Sequence, residues 1–385
     1  MKWKTKQLGE LAVSKGGSVN PEKHPTEEFD LYSIPAFDKG EPEVIRGRAI
    51  GSSKKIVEPS DVLLSRIVPH IRRAWIVGED RGRRLIGSGE WIQFRSSEVL
   101  PEYLRNFLLS DPFHRQFMQT VSGVGGSLLR ARPAQVYEIH IPLPPLDEQK
   151  RIAAILDAAD ELRAKRRESL AQLDALLQST FLDLFGDPVT NPKGWEASTL
   201  GDMAMVERGR FSPRPRNDPS FYHGKHPFIQ TGDIANSGGY ITSWNQTLND
   251  RGTKVSKCFY PGTIVMAIVG ATIGRTAILK IPAYCPDSVV GITTHKGDVD
   301  PAYLERFLRF RRNDLFERAP QTARANLNLE ILRPFPVLNP PVKLQKRYSD
   351  VVNQVESLRR KYEEQLAEID DLFFSLQSRA FRGEL

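Results

Sequence analysis

The stretch PPLDEQKRIAAIL, Pro144 to Leu156, returns 196 residues later as PPVKLQKRYSDVV, Pro340 to Val352. Each copy closes a block of about 145 residues and opens a helical pattern. After the first double proline, apolar side chains fall at Ile152, Ile155, Ala159, Leu162, Leu170, Leu173, Leu177 and Leu184, near the 3,4 spacing of a coiled-coil seam. The second copy places Val352, Val355, Leu358, Leu366, Ile369, Phe373, Leu376 and Ala380 in the same rhythm. No glycine or proline interrupts either run for about 40 residues, which predicts two helices of ~60 Å at 1.5 Å per residue. A helix that long with a narrow apolar stripe needs a partner, and the nearest is the other copy.

The duplication extends through the blocks themselves, and an internal repeat of this size decides the architecture. Trp3, Leu8, Gly9 and Ala12 match Trp195, Leu200, Gly201 and Ala204. EPSDVLLSRIVPHIRRAWIV, from Glu58, matches YPGTIVMAIVGATIGRTAIL, from Tyr260, setting Arg73 on Arg275. PEYLRNFL, Pro101 to Leu108, matches PAYLERFL, Pro301 to Leu308. Within each block, short strand-like runs (Asp61 to Leu64, Ala74 to Val77; Thr263 to Ile268, Thr276 to Leu279) alternate with turns, and one helix opens at Pro-x-Tyr-Leu. The expected fold is α+β: two tandem domains, residues 1–145 and 187–341, separated by long helices over 146–186 and 342–385. Antiparallel packing of the helices, related by an internal pseudo-twofold axis, returns the chain's end beside its beginning.

Composition narrows the function. The longest apolar run, Thr263 to Gly274, is broken by glycines and too short to cross a bilayer, and the first residues lack an apolar signal core, so a cytoplasmic protein is expected. Cys258 and Cys285 make no disulfide framework. The net charge of +7 invites a polyanion. Residues 1–145 carry 21 basic against 17 acidic side chains and residues 187–341 carry 19 against 14, while the helical stretches hold 14 against 16. The excess belongs to the blocks.

Several motifs imitate active sites. NPPV, Asn339 to Val342, resembles the NPP-aromatic motif of adenine-N6 methyltransferases, but Val342 stands at the aromatic position and the repeat reads LPPL, with Leu143 in place of the polar residue. Prolines that end a strand and pre-set a first helical turn explain both copies. DEQK, Asp147 to Lys150, looks like the end of a nuclease site, yet its duplicate lacks the carboxylates, and acidic residues at a helix start suit the helix dipole. GVGG, Gly123 to Gly126, has no Lys-Ser/Thr partner for a phosphate. His223 and His226 have ligand spacing but no third ligand nearby. No catalytic residue and no metal site is expected.

The order of block, proline-started long helix with the EQKRI phrase, second block and second such helix resembles the specificity subunit of type I restriction-modification systems, over essentially the whole chain. The central stretch from PLPPLDEQKRIAAIL to FLDLFGDP and the last 45 residues, through LQSRAFRGEL, are similar to that family's conserved regions. The resemblance implies a subunit with no active site of its own and no cofactor in this chain. S-adenosylmethionine, ATP and Mg are expected in partner subunits. It implies two target recognition domains, each reading one half of a split, asymmetric site in double-stranded DNA, with the helices fixing the gap. The implied partners are two methyltransferase (modification) subunits, which methylate adenine, and restriction subunits that cleave.

DNA contacts call for Lys or Arg at phosphates and Arg, Asn or Gln at base edges. The candidates in the first block are Arg66, His70, Arg72 and Arg73, with Arg130 and Arg132 after the glycine loop. In the second block they are Arg275, then Arg324, Asn326 and Asn328, with Tyr240 and Trp244 for stacking or shape contacts. Arg73 and Arg275 stand out because both copies keep the charge, although such pairing also fits a fold contact. Two rivals remain: a freestanding methyltransferase, for which the cofactor loop is missing, and a two-headed coiled-coil scaffold without sequence-specific DNA binding.

Overall fold

The computed structural model describes residues 3–14, 16–123, 129–295, 297–319 and 326–385. It divides into two compact units, Met1–Glu168 with Glu363–Leu385, and Ser169–Tyr362. Each unit thus joins one block with half of each long helix.

The long helices run Leu146–Phe185 and Val342–Arg382. Within the first unit, Arg151 donates to the Leu385 carbonyl at 3.0 Å and Arg163 pairs with Asp370 at 2.5 Å. Residue numbers rise along one helix as they fall along the other, so these halves are antiparallel. The same holds in the second unit, where the Tyr348 hydroxyl approaches the Leu177 carbonyl at 3.5 Å and Arg359 pairs with Asp174 at 2.6 Å. Two positions depart from the expected seam, Leu162 at 56% and Leu358 at 37% exposed. Burial concentrates near the helix ends, on Ile152, Leu156, Phe181 and Phe185 of one helix and Tyr348, Val352, Phe373 and Phe381 of the other. Each end packs on its own block's core, and toward the middle the Arg163 guanidinium lies 4.2 Å from the Phe373 ring. Aromatic anchors at the ends thus reinforce a stripe that keeps Leu173, Leu177 and Val355 buried.

The duplication is visible in the matched strand pairs. Lys4–Gln7 pairs antiparallel with His140–Leu143, and Ala197–Thr199 pairs likewise with Pro336–Leu338. In the first unit, Val62–Ser65 lies between Ala74–Ile76 and Trp91–Phe94. In the second, Ile264–Ala267 lies between Thr276–Leu279 and Val289–Thr294. A parallel pair recurs too: Glu28–Tyr32 with Arg84–Gly87, and Tyr222–Phe228 with Ala283–Cys285. The shared glycine of the two openings is explained by crowding. A Cβ on Gly9 would stand 3.0 Å from Tyr137 Cβ, and one on Gly201 3.3 Å from Arg333 Cβ, closer than side chains comfortably approach.

The repeated QKR phrase has its cause in one side chain. Gln149 is 1% and Gln345 0% exposed. Gln149 accepts from the Leu100 N–H at 2.9 Å and donates to the Pro144 and Glu98 carbonyls, each at 2.9 Å. Gln345 accepts from the Asp300 N–H at 2.9 Å and donates to the Pro340 carbonyl at 2.7 Å. Leu100 and Asp300 are the residues that precede the helices Pro101–Leu108 and Pro301–Phe310. A buried amide therefore ties the start of each long helix to the start of its block's helix, satisfying polar groups that burial would otherwise penalise. The neighbouring Tyr103 and Tyr303 hydroxyls donate to the Pro142 and Leu338 carbonyls at 2.9 and 2.8 Å.

Candidate nucleic-acid interface

In each unit the central strand of the three matched strands ends in a turn that carries the first group of candidate residues. The Ser65 N–H donates to the Arg73 carbonyl at 3.0 Å, and the Ala267 N–H to the Arg275 carbonyl at 2.9 Å. A second segment docks on each turn: the Ala131 N–H donates to the Arg66 carbonyl at 2.8 Å, and the Leu327 N–H to the Ile268 carbonyl at 3.0 Å. Isolated bridges join Ile67 to Arg130 and Val269 to Asn326. Arg130 and Asn326 thus occupy equivalent places, and so do Arg132 and Asn328, each of which precedes a short helix. Sequence alignment did not pair them, because the intervening loops differ in length and share no residue pattern.

The same frame holds different chemistry. In the first unit, Arg66 and Arg130 both reach Glu90, at 3.0 and 3.2 Å, leaving one positive charge in excess. Burial pushes the Glu90 carboxyl up, but the Arg130 hydrogen bond and both guanidinium charges outweigh it and hold the group below the usual carboxylate range. The Arg66 N–H donates to the Glu90 carbonyl at 3.0 Å, as the Ile268 N–H does to that of Ser288 at 3.1 Å. At the three positions held by Arg66, Glu90 and Arg130, the second unit therefore has Ile268, Ser288 and Asn326.

Other candidates fare differently. His70 and Arg132 are exposed. Arg72, half-buried, pairs with Asp111 at 2.5 Å and donates to the Leu109 carbonyl at 3.0 Å. Arg73 is 8% exposed and grips Asp38 through two hydrogen bonds of 2.8 and 3.0 Å, so its charge is committed to the fold. Arg275, its counterpart, is exposed, and Arg312 braces its turn by donating to the Ile273 and Ala271 carbonyls at 3.0 and 3.1 Å. Asn326 is half-buried, with its side-chain oxygen buried and unpartnered. Asn328 accepts from the Ile331 N–H at 2.9 Å as a helix cap. Tyr240 packs on the second unit's core beneath Lys280, whose ammonium lies 4.1 Å from the ring. Trp244 is 39% exposed on its loop. Arg324 lies outside the described residues, as do Val124, Gly125 and Gly126 of the GVGG stretch.

Sequence reasoning passed over four arginines within nine residues, Arg208, Arg210, Arg214 and Arg216, which the run ERGRFSPRPR could have signalled. Arg216 pairs with Asp287 at 2.7 Å, Arg214 stands 3.7 Å from it, and Arg208 donates to its carbonyl at 2.6 Å. Among the described residues Asp287 is the carboxylate these arginines pair with, while the adjacent Glu207 pairs with Lys257 at 2.5 Å, so the strip keeps a net positive charge, the character that phosphate contacts require. Among the described residues, no group of three or more His, Cys, Asp or Glu side chains is placed to hold a metal ion. His226 lies 3.1 Å from Asp250 and His223 is exposed. NPPV is the junction between a strand and the second long helix, and Asp147 and Glu148 lie in the first turn of the other. Among the described residues no helix is long and apolar enough to cross a membrane.

A duplicated α+β frame carrying different, basic loops is the architecture of a protein with two related but unlike domains. The chain matches the type I restriction modification DNA specificity domain over residues 1–173 and again over 192–369, and belongs to that family. It is 29% identical over 147 residues to the specificity subunit of type I restriction enzyme MjaIX of Methanocaldococcus jannaschii, covering 34% of this chain and 33% of that one. It is 24% identical over 283 residues to the EcoBI specificity subunit of Escherichia coli, covering 64% and 58%. These matches therefore span less than two thirds of either relative. The fold is similar to that of a type I restriction-modification S subunit from M. genitalium, with a TM-score of 0.61, 13% identity and coverage of 99% and 96%.

Proposed function

We propose that this chain is the noncatalytic subunit that selects DNA for a type I restriction-modification assembly. Each block reads one half of a split, asymmetric duplex site, and the paired helices set the gap between halves. Modification subunits, supplying S-adenosylmethionine, then methylate adenine at the chosen site, and restriction subunits using ATP and Mg cleave unmodified DNA. The observation that carries this reading is one backbone frame bearing different side chains: Arg66, Glu90 and Arg130 in one unit against Ile268, Ser288 and Asn326 in the other. A duplicated scaffold that keeps its hydrogen bonds while exchanging a half-buried cluster of charges for a buried Ile268 and the half-buried, uncharged Ser288 and Asn326 suits two readers of unlike sequences. Base discrimination depends on those side chains, while a conserved frame supplies position.

The experiment is duplex binding by this chain with its cognate modification subunit across a salt series. Phosphate contacts release counterions, so affinity falls steeply, by roughly 0.9 log unit per contacted phosphate for each tenfold rise in salt. A coiled-coil scaffold without DNA recognition gives no such slope, and that result overturns the proposal.

A further inference from the structure

The second unit contains a cleft of about 450 Å³ beside the arginine strip. Its floor is aromatic: Phe211 and Phe228 are 3% and 2% exposed, with ring centroids 5.1 Å apart. One wall is made of side-chain amides. Gln230 donates its amide N–H to the Oε1 of Gln246. That bond leaves the Gln246 amide nitrogen as a donor, and the Gln230 oxygen, which takes the Asp233 N–H in the capping box of its helix, keeps its second lone pair as an acceptor.

The wall is held from behind. Asp233, 8% exposed, accepts from the Gln230 backbone N–H at 2.8 Å and from the Asn245 side-chain amide at 2.6 Å. A single buried carboxylate therefore fixes both ends of the wall, the preorganisation that a specific hydrogen-bonding site needs. Arg214 and Arg216, about half exposed, stand at the Asp287 side, and Ser288 joins the cleft to the turn that carries Arg275.

We propose that Gln230 and Gln246 are specificity-determining residues of the second block and read an adenine edge in its half-site. In the major groove adenine presents N7 as an acceptor and N6 as a donor, complementary to the Gln246 N–H and the remaining lone pair of the Gln230 oxygen. Asp233 is a positioning residue, and the arginine strip contacts the adjoining phosphates. This assignment rests on the DNA-recognition reading above and deepens it.

The test maps adenine methylation in cells that carry the cognate modification subunit with the wild-type chain, Gln246→Ala or Gln246→Glu. Gln246→Ala removes one of the two hydrogen bonds and is expected to relax one adenine position in one half of the split motif by roughly 2- to 13-fold, the range set by a single hydrogen bond. The other half should be unchanged. Gln246→Glu keeps the size of this exposed residue but presents only acceptors, and is expected to move preference at that position toward cytosine, whose N4 donates. A wild-type split motif that both variants leave intact overturns the assignment alone. Loss of all methylation with both variants also overturns it, since a half-site reader relaxes rather than abolishes recognition. Absence of any motif with the wild-type chain fails the DNA-recognition reading itself.

Discussion

Replacing Gln345 with alanine tests the meaning of the repeated QKR phrase. The side chain is fully buried and makes two hydrogen bonds, accepting from the Asp300 N–H and donating to the Pro340 carbonyl. Asp300 also caps the helix Pro301–Phe310, accepting from the Ala302 N–H at 2.8 Å. Truncation leaves one donor and one acceptor without partners. At about 1–3 kcal/mol for each unsatisfied buried group, the expected loss is roughly 2–6 kcal/mol. For a unit of this size, each kcal/mol lowers the thermal midpoint by about 2–4 °C, so a mid-range loss of ~4 kcal/mol gives about 8–16 °C. Gln149→Ala removes three such bonds in the first unit and should cost at least as much. Lys150, its exposed neighbour, provides the control, with Lys150→Ala expected within about 0.5 kcal/mol of wild type. The assay is thermal unfolding followed by circular dichroism, with urea titration to check that the slope is unchanged. A Gln345→Ala protein that melts within a degree or two of wild type refutes the claim that this amide fastens helix to block.

Three further outcomes follow from the geometry. Arg73→Ala should lower stability by about 1 kcal/mol, discounted for the exposure of Asp38, and leave DNA selection unchanged, whereas Arg275→Ala should leave stability alone and reduce the salt slope by about one unit; paired melting and binding titrations separate the two. Glu90 titrates below its ordinary range in the fold, so its ion pairs stabilise above the unfolded carboxylate range and are lost as pH falls through the lower folded value. Acid unfolding of Glu90→Gln should accordingly show a shallower pH dependence than wild type over that window. Inserting four residues, about one turn or ~6 Å, midway along Leu146–Phe185 should change the gap between half-sites in methylation maps without changing the half-sites themselves; altered half-site bases would contradict the ruler role.

The architecture was legible because it rests on periodicity and punctuation. Two glycine- and proline-free runs after double prolines are long helices in the structure, and strand-like runs at Ala74 and Thr276 are strands. The anchoring of those helices was less visible: a 3,4 count weights Leu162 like Ile152, but burial depends on which block lies opposite, and Leu162 faces solvent. The sites were harder for the same reason. Arg73 and Arg275 look alike in the aligned sequence, and the difference comes from Asp38, 35 residues upstream of Arg73. The equivalence of Arg130 with Asn326 is written in backbone hydrogen bonds, which leave no residue signature. Gln149 and Gln345 were visible as a repeated letter, but their role depends on reaching residues 49 and 45 positions away. The arginine strip could have been found by counting charge, and its relation to the amide wall could not.

The central claim is that this chain chooses the DNA its partners modify. The most direct measurement is genome-wide mapping of adenine methylation in cells expressing the chain with its cognate modification subunit, set against cells lacking only this chain. The account predicts a split motif with two unlike halves that disappears when the chain is removed. Unchanged methylation, with the modification subunit present and active, would contradict it and favour a two-headed scaffold.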